Sequence, residues 1–289
     1  MALKPECLTN GTEAHPAQSY RERSPAREIA GQVASVWVLE VDSRGGAYEH
    51  RTVPNGSVEI SYTLGSNRIE VSGPQRKPVV ARIEPGKTVV GIRFRPGAAP
   101  SILRLPASEL VDLRVDADRL WGPGVASFAE RLGETGTPGG ALRLLQNEIA
   151  RRLTDATAPD PLVTDAVRRL QPWRSRDLTD WASGFYISHR QLRRRFVATL
   201  GYGPKTFHRI RRFQGFLALT HGRGQGRVDL ARLAQRAGYA DQAHLSRESV
   251  ALTGLTPRAF LEEMWTSCGP NHDHEISYAG LRRALLVMP

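Results

Sequence analysis

The sequence predicts an α+β protein: a beta-rich N-terminal domain followed by an all-α domain that contains two helix-turn-helix units. Three observations predict it. Between residues 30 and 120 the chain is cut into short runs of β-branched and aromatic residues, separated by turn-forming Pro and Gly. Past Trp121 and Gly122 the apolar spacing lengthens to that of helices packed on one side. Within this C-terminal half a single unit occurs twice. With 289 residues, 40% of them hydrophobic, the chain has material for two cores.

The predicted strands are "SVWVLEV" (35–41), "SVEISYTL" (57–64), "RIEVSG" (68–73) and "KTVVGIRF" (87–94). The breaks "PNG" (54–56), "EPG" (84–86) and "RPG" (95–97) supply turn chemistry. "PASELVDL" (106–113) reads as a helix, as do the amphipathic stretches "VASFAERL" and "GALRLLQNEIARRL" (140–153). "TDATAPDP" (154–161) has the small, polar composition of a linker. These limits divide the chain into a beta-rich domain over 18–122, a helical connector and linker over 123–160, the double unit over 161–265 and a C-terminal tail over 266–289.

The repeat is explicit. "GYGPKTF" (201–207) and "GLTPRAF" (254–260) share Gly-x-x-Pro-x-x-Phe 53 residues apart, and the same offset pairs Leu192 with Leu245 and Arg194 with Arg247. "DLTDWA" (177–182) matches "DLARLA" (229–234) at an offset of 52. Each unit opens with a short helix (Leu178, Trp181, Ala182; Leu230, Leu233, Ala234), then a turn, then a second helix. Ser188 with Gln191 makes a capping-box pattern for that helix in the first unit, and Asp241 is the cap in the second. Helix, tight turn and capped helix is the helix-turn-helix pattern.

Charge points to the same place. The net charge is +11 and the pI about 10.3. Residues 153–289 hold 20 basic and 12 acidic groups, a net of +8, against +3 for residues 1–152. A polyanionic partner fits such an excess. In "SHRQLRRRF" (188–196), a step of about 100° per residue puts Leu192 and Phe196 on one face and Arg190, Arg193 and Arg194 on the other. Taken alone this reads as a solvated surface helix; set in a duplicated unit it reads as a docked helix aiming cations outward.

The stretches "ISHRQLRRRFVATLGYGPKTFHRIRRFQGFLAL" and "DLARLAQRAGYADQAHLSRESVALTGLTPRAF" resemble the DNA-binding domain of the AraC/XylS family of bacterial transcription regulators. The resemblance implies two recognition helices, about 188–200 and 242–253, joined by a long helix (204–222) and entering successive major grooves. It implies base-facing Arg190, Arg193 and Arg194 in the first, and Gln242, Ala243, His244, Ser246 and Arg247 in the second. Ser188 would hold a phosphate, Arg209, Arg211 and Arg212 would hold phosphates or stay solvated, and Arg195 sits at the flank of the buried face. Two positions depart from the family pattern. Ser249 stands where an aromatic is usual, predicting a lost core anchor worth about 3 kcal/mol. Tyr186 stands where a turn glycine is common.

Upstream, "YRERSPAREIAGQVASVWVLEV", "VPNGSVEISYTLG", "GIRFRPGAAPSILRLPASEL" and "DRLWG" resemble an uncharacterised domain that precedes such DNA-binding domains. The resemblance implies a sensor-like or dimerisation role. Trp37, Glu59, Tyr62, Arg93 and Arg95 are candidate ligand-pocket residues, against a plain reading as core aromatics and strand-edge charges. Leu142, Leu145, Ile149 and Leu153 form a stripe for a homodimer contact or for packing within the domain.

Two cysteines, Cys7 and Cys268, make no disulfide framework. The opening residues lack the apolar core of a signal peptide, and no run of 18 apolar residues occurs, so a cytoplasmic protein without membrane contact is expected. Cys268, His272 and His274 have ligand chemistry but lack a second cysteine pair, and are read as incidental: no metal and no cofactor is expected. There is no P-loop, no Gly-x-Gly-x-x-Gly after a strand, no Gly-x-Ser-x-Gly and no Cys-x-x-Cys, so no catalytic residue is assigned and an enzyme is not expected. The expected partner is double-stranded DNA, with RNA polymerase, a small-molecule effector and a second copy as further candidates. Two rivals stay open: a DNA-binding fold that acts through protein contacts, and catalysis built from dispersed residues of the N-terminal domain.

Overall fold

A computed structural model of the chain describes residues 18–170, 172–173, 186–221, 228–268 and 272–286. The four predicted strand runs become β2 (Val33–Val41), β4 (Glu59–Thr63), β5 (Ile69–Ser72) and β7 (Thr88–Phe94). With β1 (Gln18–Arg23), β8 (Arg114–Asp116) and β9 (His272–Asp273) they form a seven-stranded sheet of order β8-β5-β4-β7-β2-β1-β9. The strands β3 (Tyr48–Thr52) and β6 (Val79–Ile83) pair as a separate ribbon. All neighbours are antiparallel except β9, which runs parallel to β1 with His272 opposite Tyr20. The segment 106–113 is not the helix its pattern predicts. It makes one 3-10 turn at Ala107–Leu110, then extends at Val111 and takes a left-handed backbone at Asp112 (φ 59), which ends any helix.

The helices α1 (Ala99–Leu103), α2 (Asp118–Trp121), α3 (Gly124–Glu134) and α4 (Pro138–Thr154) follow. Thr137 caps α4, its hydroxyl accepting the Gly140 N–H at 3.2 Å. Phe128, Leu132, Leu142, Leu145 and Ile149 are buried in one cluster with Ile60, Tyr62, Val90, Ile92 and Phe94 of the sheet. Each such side chain stabilises by about 1.5–3 kcal/mol. The stretch expected as a connector over 123–160 is therefore largely the second layer of the N-terminal domain. The stripe considered for a dimer contact is likewise spent on its own sheet: Ile149 is fully buried and Leu153 packs against the same cluster.

The C-terminal half contains α5 (Pro161–Arg169), α6 (His189–Leu200), α7 (Pro204–Thr220), α8 (Leu230–Arg236), α9 (Gln242–Thr253), α10 (Pro257–Cys268) and α11 (Glu275–Leu286). Its core gathers Phe196, Phe207, Phe213, Phe216, Leu245 and Phe260, joined by Tyr278 and Leu281 of α11. Within the segment expected as a tail over 266–289, residues 272–286 are thus structural. Its strand β9 extends the N-terminal sheet while α11 closes the C-terminal core.

The two halves share a polar seam. Arg51 of β3 donates to both Glu263 carboxylate oxygens (2.5 and 3.0 Å) and to the Thr253 carbonyl (3.1 Å). Gln214 of α7 donates to the Pro54 carbonyl at 2.8 Å. Gly201 ends α6 in the left-handed region (φ 84), where an added Cβ would lie 2.6 Å from Val111. Glycine therefore serves that position twice, for the turn and for the close approach.

Candidate nucleic-acid interface

The first helix of the first unit, with Leu178, Trp181 and Ala182, lies outside the described residues. Its partner α6 is built as the pattern predicts. Ser188 Oγ accepts the Gln191 N–H (3.2 Å) while Gln191 Oε1 accepts the Ser188 N–H (2.7 Å), a complete capping box. Leu192, Phe196 and Leu200 are buried, and the Phe196 ring meets Phe207 edge-on at 6.5 Å. That docking leaves Arg190, Arg193 and Arg194 exposed, and none of them forms an ion pair among the described residues. Arg195 differs: it pairs with Asp160 at 3.1 Å, the residue that also caps α5. The flank position is thus an internal tie.

In the second unit α8 buries Leu230, Leu233 and Ala234, and Asp229 caps it through the Arg232 N–H at 3.0 Å. The turn passes through Gly238 (φ 84), and Asp241 caps α9 through the His244 N–H at 2.6 Å. Gln242, Ala243 and Arg247 are exposed. Two other candidates are partly engaged. The Ser246 hydroxyl donates to the Gln242 carbonyl of its own helix (2.9 Å), and the half-buried His244 ring stands edge-on to Tyr239 at 5.2 Å. The two helices are therefore unequal, three unpaired cations on α6 against one on α9.

Ser249 is fully buried and its hydroxyl donates to the Leu255 carbonyl at 2.8 Å. Thr253 in turn donates to the Ser249 carbonyl at 2.8 Å. The expected lost anchor is instead a satisfied polar site, and Val250, half exposed at 49%, takes no share in filling it. Restoring the aromatic as Ser249→Phe is expected to destabilise by about 1–3 kcal/mol through overpacking, measured by denaturant unfolding. Tyr186, at the position matching Gly238, has φ 55 and is 98% exposed. Tyr186→Gly is expected to stabilise by roughly 0.5–1 kcal/mol, because the relief of left-handed strain exceeds the entropy glycine adds to the unfolded chain. An unchanged or lowered melting temperature for that variant would contradict the strain.

The residues expected on phosphates divide. Ser188 stays exposed with its hydroxyl proton free to donate. Arg209 is exposed but pairs with Glu248 of α9 at 2.8 Å. Arg212 sits 5.4 Å from the Tyr239 ring centroid, beside His208. Arg211 faces the other way, toward the seam between the halves, and is no phosphate contact. A step of about 200° separates positions 209 and 211 on a helix. The sequence carried a signal for it: positions 207, 211, 214 and 218 make one row along α7, and Phe207, Gln214 and Ala218 in that row are buried.

The residues proposed for a pocket inside the sheet are not brought together there. Tyr62 is wholly buried in the core, donating to the Ser66 carbonyl (3.1 Å), and Trp37 lies against Gly91. Glu59 and Arg93 belong to a buried network. Arg93 donates to Glu59 (2.8 Å), to Glu22 (2.6 Å), to Tyr20 (3.3 Å) and to Ser277, while Ser277 donates from N–H and hydroxyl to Glu22 (2.7 Å each). Burial alone would raise the Glu22 carboxyl, but Arg93, His274 and Ser277 hold it well below the usual carboxylate range. His272 stacks on Tyr20 at 4.8 Å, with its Nε2 2.9 Å from His274 Nε2, so both histidines belong to this packed seam. The Cys268 side chain lies outside the described residues. Open space occurs instead between the halves, as a cavity of about 970 Å³ that Arg93 and Arg95 reach from the sheet. Among the described residues no helix is long and apolar enough to cross a membrane.

A capped, core-docked helix with an outward cationic fork, followed by a short helix, a glycine turn and a second capped helix, is the arrangement of the helix-turn-helix class. Residues 181–263 match a helix-turn-helix domain family, and residues 21–116 match a domain of unknown function, DUF6597. No curated protein matches the chain. Among solved structures, ToxT from Vibrio cholerae O395 is similar over 87% of this chain and 99% of its own, at 8% identity and a TM-score of 0.43. Wild-type ToxT from Vibrio cholerae strain SCE256 with bound unsaturated fatty acid is similar over 87% and 95%, at 12% identity and a TM-score of 0.42. The chain therefore carries a helix-turn-helix domain, with a DUF6597 domain ahead of it.

Proposed function

We propose that the protein reads duplex DNA with α6 and α9, the first dominating. The carrying observation is that Arg190, Arg193 and Arg194 project from a rigidly capped helix with no ion pair among the described residues. Arginine in that state offers a planar fork to guanine or phosphate, whereas paired arginines such as Arg195 and Arg209 must first give up a carboxylate. Gln242 and Arg247 add a narrower readout from α9, through an amide suited to adenine and a guanidinium suited to guanine. Ser188 supports phosphate positioning.

In this reading the protein works in the cytoplasm without catalysis, and its N-terminal domain senses an effector through the cavity at the seam. Promoter activity would follow from contact with RNA polymerase. The test is selection of binding sites by the full-length protein from a random duplex library at two salt concentrations. The expected product is a motif of two short blocks about one helical turn apart, with affinity falling steeply with salt. Recovery of one block would confine base reading to α6. No enrichment, with weak salt-sensitive binding, would exclude sequence-specific recognition by this protein on its own.

A further inference from the structure

The two helices proposed to read DNA differ in charge. α6 has four arginines and no acidic residue, whereas α9 has Arg247 and, directly after it, Glu248. A carboxylate on a helix that enters a groove walled by phosphates opposes its own approach. Glu248 lies on the flank of the buried row Leu245, Ser249 and Leu252, on the side where α9 packs against α7.

There Glu248 is held. Arg209 Nε of α7 donates to both of its carboxylate oxygens, at 3.1 and 2.8 Å. The Glu248 side chain is 15% exposed and that of Arg209 45%, so the carboxylate is the anchored partner and the guanidinium the solvent-facing one. Burial first, and then the charge of Glu248, push the Tyr239 hydroxyl above its ordinary value, while Arg212 and Arg209 pull it back, so these groups share one neighbourhood.

The pair stands between the two DNA-reading helices. α7 begins against α6: a Cβ built on Gly203, the residue before α7, would lie 3.6 Å from Arg193 Cγ. Arg209 follows about 9 Å further along the helix axis, where α9 packs. Helices that enter successive major grooves leave a stretch of sugar-phosphate backbone between them, and the joining helix meets it. An exposed arginine there would ordinarily replace a counterion on a phosphate. Glu248 offsets that charge, and a phosphate approaching Arg209 meets the carboxylate as well.

We propose that Glu248 limits the sequence-independent affinity of the protein for DNA by holding Arg209 off the phosphate backbone. The inference rests on the DNA-reading function proposed above and assigns to it a residue outside the base-facing set. Affinity withheld from the backbone leaves a larger share of binding to the base contacts.

The experiment measures binding of the full-length protein to a random-sequence duplex between about 50 and 200 mM salt. Wild type is compared with Glu248→Gln, with Glu248→Gln/Arg209→Gln and with Glu262→Gln, each first shown by its melting curve to be folded at the assay temperature. Glu248→Ala takes the place of Glu248→Gln if the amide variant is not. Glu262 is the charge control, exposed on α10 with no ion pair among the described residues. Glu248→Gln is expected to bind more tightly than wild type, with log affinity falling more steeply against log salt by about 0.9, the share of one phosphate contact. Its advantage should shrink about threefold over that range of salt. The double variant and Glu262→Gln should keep the wild-type slope. A wild-type slope in Glu248→Gln would overturn the proposal. So would equal steepening in Glu262→Gln or in the double variant, which would assign the gain to charge removal without Arg209. A double variant shallower than wild type would put Arg209 on a phosphate already and overturn it too. Wild-type binding without salt dependence would instead remove the DNA-reading function itself, so the two failures are told apart.

Discussion

Arg194→Ala is expected to weaken binding to the selected DNA site by about 1–3 kcal/mol, while the variant keeps the melting temperature of wild type to within about 0.5 kcal/mol of stability. Two features of the structure lead to this. Arg194 is exposed and unpaired, so its removal breaks no internal contact, and α6 is held by the Ser188–Gln191 box and by Leu192, Phe196 and Leu200 without it. The loss should concentrate at one base pair in a binding profile, as follows when a guanidinium that reads a base edge is removed. A uniform loss over all sequences, with the salt slope reduced by about one, would instead place Arg194 on a phosphate. Arg195→Ala is the internal control. Its guanidinium already holds Asp160, so its loss should fall on stability more than on the preference profile.

Arg93→Met is expected to destabilise the protein by about 3–5 kcal/mol, lowering the melting temperature by roughly 10 °C. The side chain of Glu22 is wholly buried, and Glu59 is close to it, so removal of Arg93 strands two carboxylates in the seam. The pH dependence distinguishes this from a packing defect. In wild type the Glu22 carboxyl titrates below its unfolded value, so its stabilisation is present at neutral pH and is lost only as the pH falls into strong acid. In the variant the Arg93 charge is gone, burial is opposed by His274 and Ser277 alone, and that carboxyl rises from its wild-type position. The deficit should then be largest at pH 7 and should shrink as the pH falls and a proton neutralises Glu22. A deficit independent of pH would refute the charge explanation. Because Arg93 and Glu22 also hold Ser277, the damage should extend to α11 and loosen the two halves together.

The repeat shows what one chain reveals about its own fold. Spacing alone located the Gly-x-x-Pro-x-x-Phe pair, the capped second helices and the buried Leu192, Phe196 and Leu245, because these depend on neighbours three or four residues away. The same local logic found β2, β4, β5 and β7, whose alternation is strong. It missed β9, whose two residues "HD" have no strand pattern and pair only because the edge of β1 is there to receive them. It read 266–289 as a tail for the same reason. It placed Arg211 with Arg209 and Arg212 as a basic cluster, although a helix carries these three charges to different surroundings.

By itself, the sequence determined the class of this protein: a beta-rich domain, two capped helix-turn-helix units and an arginine fork opposite an apolar stripe. Those features follow from periodicity and local hydrogen bonding, which are written in consecutive residues. Only the tertiary structure decided which arginines are free and which are paired, that Ser249 is a satisfied polar site, and that α3 and α4 complete the N-terminal core. It also decided that a cavity opens between the halves. Ion pairs, filled cores and cavities are set by residues distant in the chain, such as Arg51 and Glu263 or Glu22 and Ser277, and no local pattern encodes which distant groups will meet.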